Sequence, residues 1–503
     1  MKHAFRLVLE SSWLLLVFFL PITSMPLVAS LTGSSGVAVP SGLILLFMIV
    51  AWFIPYLIQG KTLPRQSLPL LGFVLVAVLA SSQAFFISIP PFKDINPFRN
   101  ELKELLTLGV GVCFYLIAAT WPADENRLAN TLRCINWSGL LVLLWSAIQL
   151  AVWYTNKRYP GWVWDVQAVF SIGTLYRQRP AGFTLEPSWL ANQLNMLYLP
   201  LWLAATVKNA SVHRFRFRQV TFESILLVFG AVIMFMSLSR VGLLAFFLML
   251  AYLFLRASLR MTKWFQDQFY RIKTGLAQKW AARRRLLFVI IFSLLIFSYL
   301  VVFGGVAIAL TKIDPRMGKL FKYDSSQDNA LLSYANQLLF ASRIAYWQAG
   351  WDVFNDHPVM GVGLGNAGYY FPQKMSAFGW GLVEIRKLMV HASDLPNIKS
   401  LWVRLLAETG LVGFSLIICW LYLHWQSAHF LENSVTNDRI KVIGLAGKFT
   451  ILGLIFEGFS VDSFALPYLW VALGLVAVAC ECEYRKIVGN KSILKEDNCE
   501  SMA

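Results

Sequence analysis

The sequence predicts an all-α protein that crosses a membrane many times, and three observations carry that prediction. Of its 503 residues, 57% are hydrophobic, against roughly 45–50% in an ordinary soluble domain. Only 14% are charged, about half of the usual quarter. Apolar runs of about 20 residues recur from end to end, each long enough to cross ~30 Å of hydrocarbon as a helix. A single soluble core stops growing at about 250–300 residues, so in water this chain would leave much apolar surface uncovered. Soluble enzymes, nucleic-acid binders and disordered scaffolds are excluded on these grounds.

About twelve spans are expected, near 11–31, 41–58, 68–89, 104–121, 134–154, 187–207, 220–238, 240–256, 286–310, 400–424, 441–458 and 467–482. The first is read as a span because its apolar stretch is long and no strong cleavage site follows. Lysine and arginine set the orientation. Loop 208–219 carries Lys208, Arg214, Arg216 and Arg218, and loop 256–285 carries nine basic residues, including the triplet Arg283, Arg284 and Arg285. Lys2 and Arg6 precede the first span, and Arg485, Lys486, Lys491 and Lys495 follow the last. Loops 32–40 and 459–466 have none. The positive-inside bias then puts both termini on the cytoplasmic side, and it accounts for the net charge of +17 without nucleic acid. The six cysteines fall in spans or on the cytoplasmic side, so no disulfide framework is implied.

This topology divides the chain into N-terminal spans (1–169), central spans (170–310), a large outer loop (311–399), C-terminal spans (400–482) and a tail (483–503). Within the outer loop, Ala330–Phe354 has apolar positions at helical spacing and should lie against the membrane or the bundle. Trp162, Trp164, Trp347, Trp351 and Trp380 on the outer segments suit an aromatic belt, with sugar stacking as an extra role for one or two.

Ionisable residues at the outer rims of spans are expensive and therefore informative. Arg179 and Glu186 lie in RPAGFTLEPSWLANQ, where Pro187 starts a helix and Glu186 stands at its N-terminal end. Plain capping explains that glutamate as well as chemistry does. Arg240 sits in MSLSRVGLLAFF between two spans with almost no loop, either snorkelling to head groups or buried against an anionic partner. Arg343 is on the amphipathic helix, where a solvated face is the plain alternative. Gly361–Asn366 (GVGLGN) lacks the spacing and the preceding strand of a nucleotide loop.

The richest cluster is LPNIKSLWVRLLAETGLVGF, which holds Asn397, Lys399, Arg404 and Glu408. Arg404 and Glu408 are four apart, hence on one helical face and able to pair. Arginine forks grip phosphate oxygens in pairs and lysine adds a compact charge, so a diphosphate could be held without a metal. Asp324 and Asp328 are too few to make a cation site.

These residues resemble the bacterial O-antigen ligase and O-antigen polymerase superfamily over roughly 170–480. The resemblance rests on RPxGFxxEPSxxA, the Ser239-Arg240 turn, the helix with Arg343 and Trp347 followed by HPVMGVGLGN, and ETGLVGF. The ligase branch has His-[Asn/Ser/Gln]-x9-Gly-x-x-Gly at the start of this span. Here Ser400, Gly410 and Gly413 fit the frame, but Lys399 takes the histidine's place, and the nearest histidine is His391. The PNIKSLWVRLLAETG form and the EPS stretch are more similar to polysaccharide polymerases.

The resemblance implies a GT-C-like membrane glycosyltransferase at the outer face of the inner membrane. Its partners would be an undecaprenyl-diphosphate-linked glycan donor and acceptor, membrane lipids and a chain-length regulator, with no metal, nucleotide or nucleic acid. Arg240 and Arg343, joined by Arg179, would stabilise the diphosphate. Glu186 is the first candidate base and Lys399 a diphosphate or acceptor contact. Asn397, Arg404, Glu408 and His391 complete the candidate substrate site. The alternatives are ligation of finished polymer to lipid A-core or protein and, from a different class, transport of a lipid-linked glycan.

Overall fold

Helices make up nearly all of the secondary structure, as the composition requires. The computed structural model describes residues 2–32, 39–83, 86, 88–272, 340–391 and 394–500, with scattered positions between 289 and 311. Asp324, Asp328, Arg283–Arg285, residues 330–339 of the expected amphipathic helix and parts of span 286–310 lie outside the described residues. Among the described residues the strand content is a two-residue ribbon, Arg216–Phe217 antiparallel to Val220–Thr221.

Five described helices are long and apolar enough to cross a membrane: Pro40–Ile58, Glu125–Asn156, Arg240–Trp264, Leu401–Ser434 and Pro467–Ile487. Ser67–Ser82 and Phe222–Ser237 are shorter apolar helices. The protein is therefore an all-α polytopic membrane protein. Several helices run past the expected spans. The helix expected to end near 256 continues from Arg240 to Ile272, and those expected from 104 and 134 begin at Pro97 and Glu125. Hydropathy detects only the lipid-matched part of a helix, whereas the backbone starts where a cap allows it. Asn96 and Asp124 accept N–H bonds from Arg99 and Arg127 at 3.3 and 2.8 Å, satisfying first-turn donors. Conversely, the span expected over 187–207 is not one regular helix. Pro187–Gln193 passes into a π-turn at Leu194–Tyr198 before Leu199–Lys208, where Pro200 cannot donate to an α-helical ladder.

The chain divides into two units, Met1–Gly242 with Ser342–Ala503, and Leu243–Ala341. In the first, Leu401–Ser434 packs on Asp438–Glu457 and on Ser67–Ser82, while Pro467–Glu500 packs on Pro97–Ala118. Leu199–Lys208 packs on Asp438–Glu457 and on Phe222–Ser237. Trp202 is fully buried there and donates to Asn136 Oδ1 at 3.0 Å. A Cβ at Gly139 would come within 2.5 Å of its ring, so the close approach needs glycine. In the second unit, Tyr299 donates to the Phe247 carbonyl at 2.8 Å and its ring lies 5.4 Å from that of Phe254.

Candidate active site

The candidate residues collect where helices of the first unit begin and end. Glu186 precedes the helix at Pro187, Arg240 follows the helix Phe222–Ser237, and Lys399 and Ser400 precede the helix at Leu401.

The RPAGF segment is pinned from behind. Gln149 accepts the backbone N–H groups of Ala181 and Gly182, both at 3.0 Å. Arg179 then donates through Nε to the Ser237 carbonyl at 2.8 Å. Leu238 turns the chain through a left-handed conformation, φ 51°, and Arg240 opens the next helix. Arg179 is thus fastened three residues before Arg240. Glu186 occupies the N-cap in extended conformation, yet its side chain makes no capping bond. Its carboxylate instead accepts from the Ser188 hydroxyl.

Arg343 and Trp347 are one helical turn apart on Ala341–Asp356, and both reach the Lys399 carbonyl. Arg343 Nη1 lies 3.5 Å from it and Trp347 Nε1 3.4 Å, and Nη1 is also 3.4 and 3.3 Å from the carbonyls of Phe459 and Ser460. These distances are at the long, weak end of hydrogen bonding. Burial draws the Arg343 guanidinium below its ordinary range, while Glu186, Asp462, Glu384 and Glu457 all pull it back. Lys399 itself has φ 60°, a strained conformation for a non-glycine residue. Its N–H donates to Asp462 Oδ2 at 3.1 Å and its carbonyl receives Arg343 and Trp347, so the strain is held from both sides.

One turn further, Arg404 and Glu408 pair as their spacing predicts, Nε to Oε2 at 2.8 Å. The same guanidinium donates to Glu104 Oε2 and to the Asp462 carbonyl, both at 2.7 Å. Its donors are thus engaged with protein acceptors. The helix then breaks at Gly410, φ 63°, ψ −167°. The freed groups are taken by the HPVMGVGLGN segment. Leu411 and Val412 donate to the Pro358 and Val359 carbonyls at 2.8 and 3.3 Å, and Val362 and Gly363 donate to the Ala407 and Glu408 carbonyls at 3.1 and 3.0 Å. Two of the motifs that carry the resemblance, HPVMGVGLGN and ETGLVGF, therefore bind each other.

His391 and Asn397 are exposed, and among the described residues neither side chain joins this network by a hydrogen bond. Among the described residues no group of three His, Cys, Asp or Glu side chains gathers for a metal ion. Sequence reasoning passed over Glu104, Asp462, Asn192, Asn195 and Glu457. For Glu457 a signal existed, a carboxylate at the rim of the span expected over 441–458.

No curated protein matches the chain. Residues 225–418, which include Arg240, Arg343, Lys399, Arg404 and Glu408, match the family described as O-antigen ligase, so the resemblance is borne out over that segment and implies a membrane enzyme of O-antigen or polysaccharide synthesis, ligase or polymerase.

Proposed function

We propose that the protein is a polysaccharide polymerase that joins undecaprenyl-diphosphate-linked repeat units at the outer face of the inner membrane, with both termini cytoplasmic. The observation that carries this reading is the meeting of Arg343 and Trp347 on Lys399, the residue that stands where a ligase has its histidine. The acceptor sugar hydroxyl attacks the anomeric carbon of the donor glycan, and a new glycosidic C–O bond forms. The bond from that carbon to the diphosphate oxygen breaks, and its electron pair leaves with the lipid diphosphate. Arg343, Arg240 and Arg179 stabilise the charge that develops there, a role that peaks in the transition state. Glu186, half-buried and free of capping bonds, takes the hydroxyl proton. Lys399 contacts the diphosphate or the acceptor, and exposed Asn397 and His391 are acceptor contacts. Arg404 and Glu408 act on the substrate through the backbone they brace. A diphosphate leaves readily, so this chemistry assigns no step to a metal. Membrane lipids and a chain-length regulator are the further partners of this reading.

The test is reconstitution in liposomes with undecaprenyl-diphosphate-linked repeat units, products being resolved on a gel beside Arg343→Ala. A ladder spaced by one repeat, absent from the variant, supports the polymerase. Product formed only after adding lipid A-core would make the protein a ligase, and vesicle uptake without new bonds would make it a transporter.

A further inference from the structure

Glu457 ends the helix Asp438–Glu457 and is 1% exposed. A carboxylate so placed in an apolar bundle needs compensation. It finds two amides: Oε1 accepts from Asn195 Nδ2 at 2.7 Å and Oε2 from Asn192 Nδ2 at 3.2 Å. Asn192 lies in the helix that Glu186 precedes, and Asn195, three residues on, lies in the π-turn that follows it. Such turns are frequent at functional sites. Asn195 Nδ2 also donates to the Gly242 carbonyl at 2.8 Å, two residues into the helix that Arg240 opens. On the other side, the Glu457 carbonyl accepts the N–H groups of Ser460 and Val461 at 2.8 and 2.9 Å. That closes the turn whose Phe459 and Ser460 carbonyls face Arg343.

We infer that Glu457 is a positioning residue: its carboxylate, through Asn192 and Asn195, sets the start of the Arg240 helix against the turn that receives Arg343, so that both guanidiniums meet one diphosphate. The inference rests on the reading of these arginines as the diphosphate site. A carboxylate offers an acceptor to each amide. Glutamine has nearly the same shape but brings one donor against them and removes the charge that Arg343 feels. A lock serving packing alone would show as lost stability, whereas a positioning residue acts through Arg343.

The experiment measures kcat and KM for the lipid-linked repeat unit, with thermal midpoints, for full-length Glu457→Gln, Glu457→Asp, Arg343→Lys and the double variant Glu457→Gln/Arg343→Lys. Glu457→Gln should lower kcat roughly tenfold or more with its midpoint within about 3 °C of the parent, and Glu457→Asp should recover part of the loss. The double variant should be no slower than the poorer single, because neighbours acting through one group are not additive. Parent-like kcat in Glu457→Gln, or losses that multiply in the double variant, would overturn the inference. If Glu457→Gln does not accumulate, Asn195→Ala is scored by the same two criteria. A parent inactive with competent donor overturns the diphosphate reading and this inference together; an active parent with an indifferent Glu457→Gln overturns the inference alone.

Discussion

Arg404 reaches across 300 positions of sequence to Glu104, Nη2 to Oε2 at 2.7 Å, while its Nε holds Glu408. The side chains of Arg404 and Glu408 are 8% and 5% exposed. Removing the guanidinium leaves the buried Glu408 and half-buried Glu104 carboxylates without their counter-charge. Arg404→Ala should therefore cost about 3–5 kcal/mol of stability, seen as a shifted denaturant midpoint in detergent. A shift under about 1 kcal/mol would mean that water replaces it.

Gly410 tolerates no side chain. At φ 63° a Cβ is disfavoured, and here it would lie 2.2 Å from the Val359 carbonyl oxygen. Gly410→Ala should lose more than about 2 kcal/mol, combining the left-handed penalty with the clash. Gly109→Ala is the control, since a Cβ there meets nothing within 4 Å. Equal melting temperatures for the two variants would contradict the account of the break.

Arg343→Lys keeps the charge and loses the planar fork. Turnover should fall at least about tenfold with the fold intact, as measured by ladder formation against a thermal melt. Turnover near that of the parent would show that a point charge suffices.

His213 is packed against Trp137 and Phe222, with ring centroids 6.1 and 4.7 Å away. Burial is the main cause of its pKa lying below the ordinary histidine value; Glu223 opposes the shift and Arg133 adds to it. The folded protein therefore binds this proton less readily than the unfolded chain, whose value is about 6.5. The histidine's contribution is full above about pH 6.5 and is lost as pH falls from there through the lower folded value. Melts of the parent should weaken between pH 7.5 and pH 5.5 more than those of His213→Phe. Parallel slopes would rule His213 out as the source.

What could be read in the sequence follows from the range of each interaction. The Arg404–Glu408 pair was visible because four residues return a helix to the same face, and the membrane class because composition is a bulk property. Arg404 to Glu104 and the pairing of 358–363 with 407–412 were not, since the periodicity of Leu401–Ser434 is that of an unbroken span. Gly410 looked like a motif position and proved to be a gap. The set of buried Lys448 and Glu432 with half-buried Lys208, both Nζ–O distances 2.9 Å, was missed for a related reason. Lys208 and Glu432 fall in expected loops and Lys448 inside the span expected over 441–458, and only the fold brings the three together. His391 drew attention through the family frame, yet it is Lys399 that carries the left-handed backbone and the contacts to Arg343, Trp347 and Asp462.

The break at Gly410 also sets a timetable for solvent exchange. Four backbone amides, those of Leu411, Val412, Val362 and Gly363, have their acceptors across the break rather than within a helix. None can open without unseating the segment opposite. In deuterated buffer they should exchange as one cooperative set, at a rate distinct from the regular turns on either side of them.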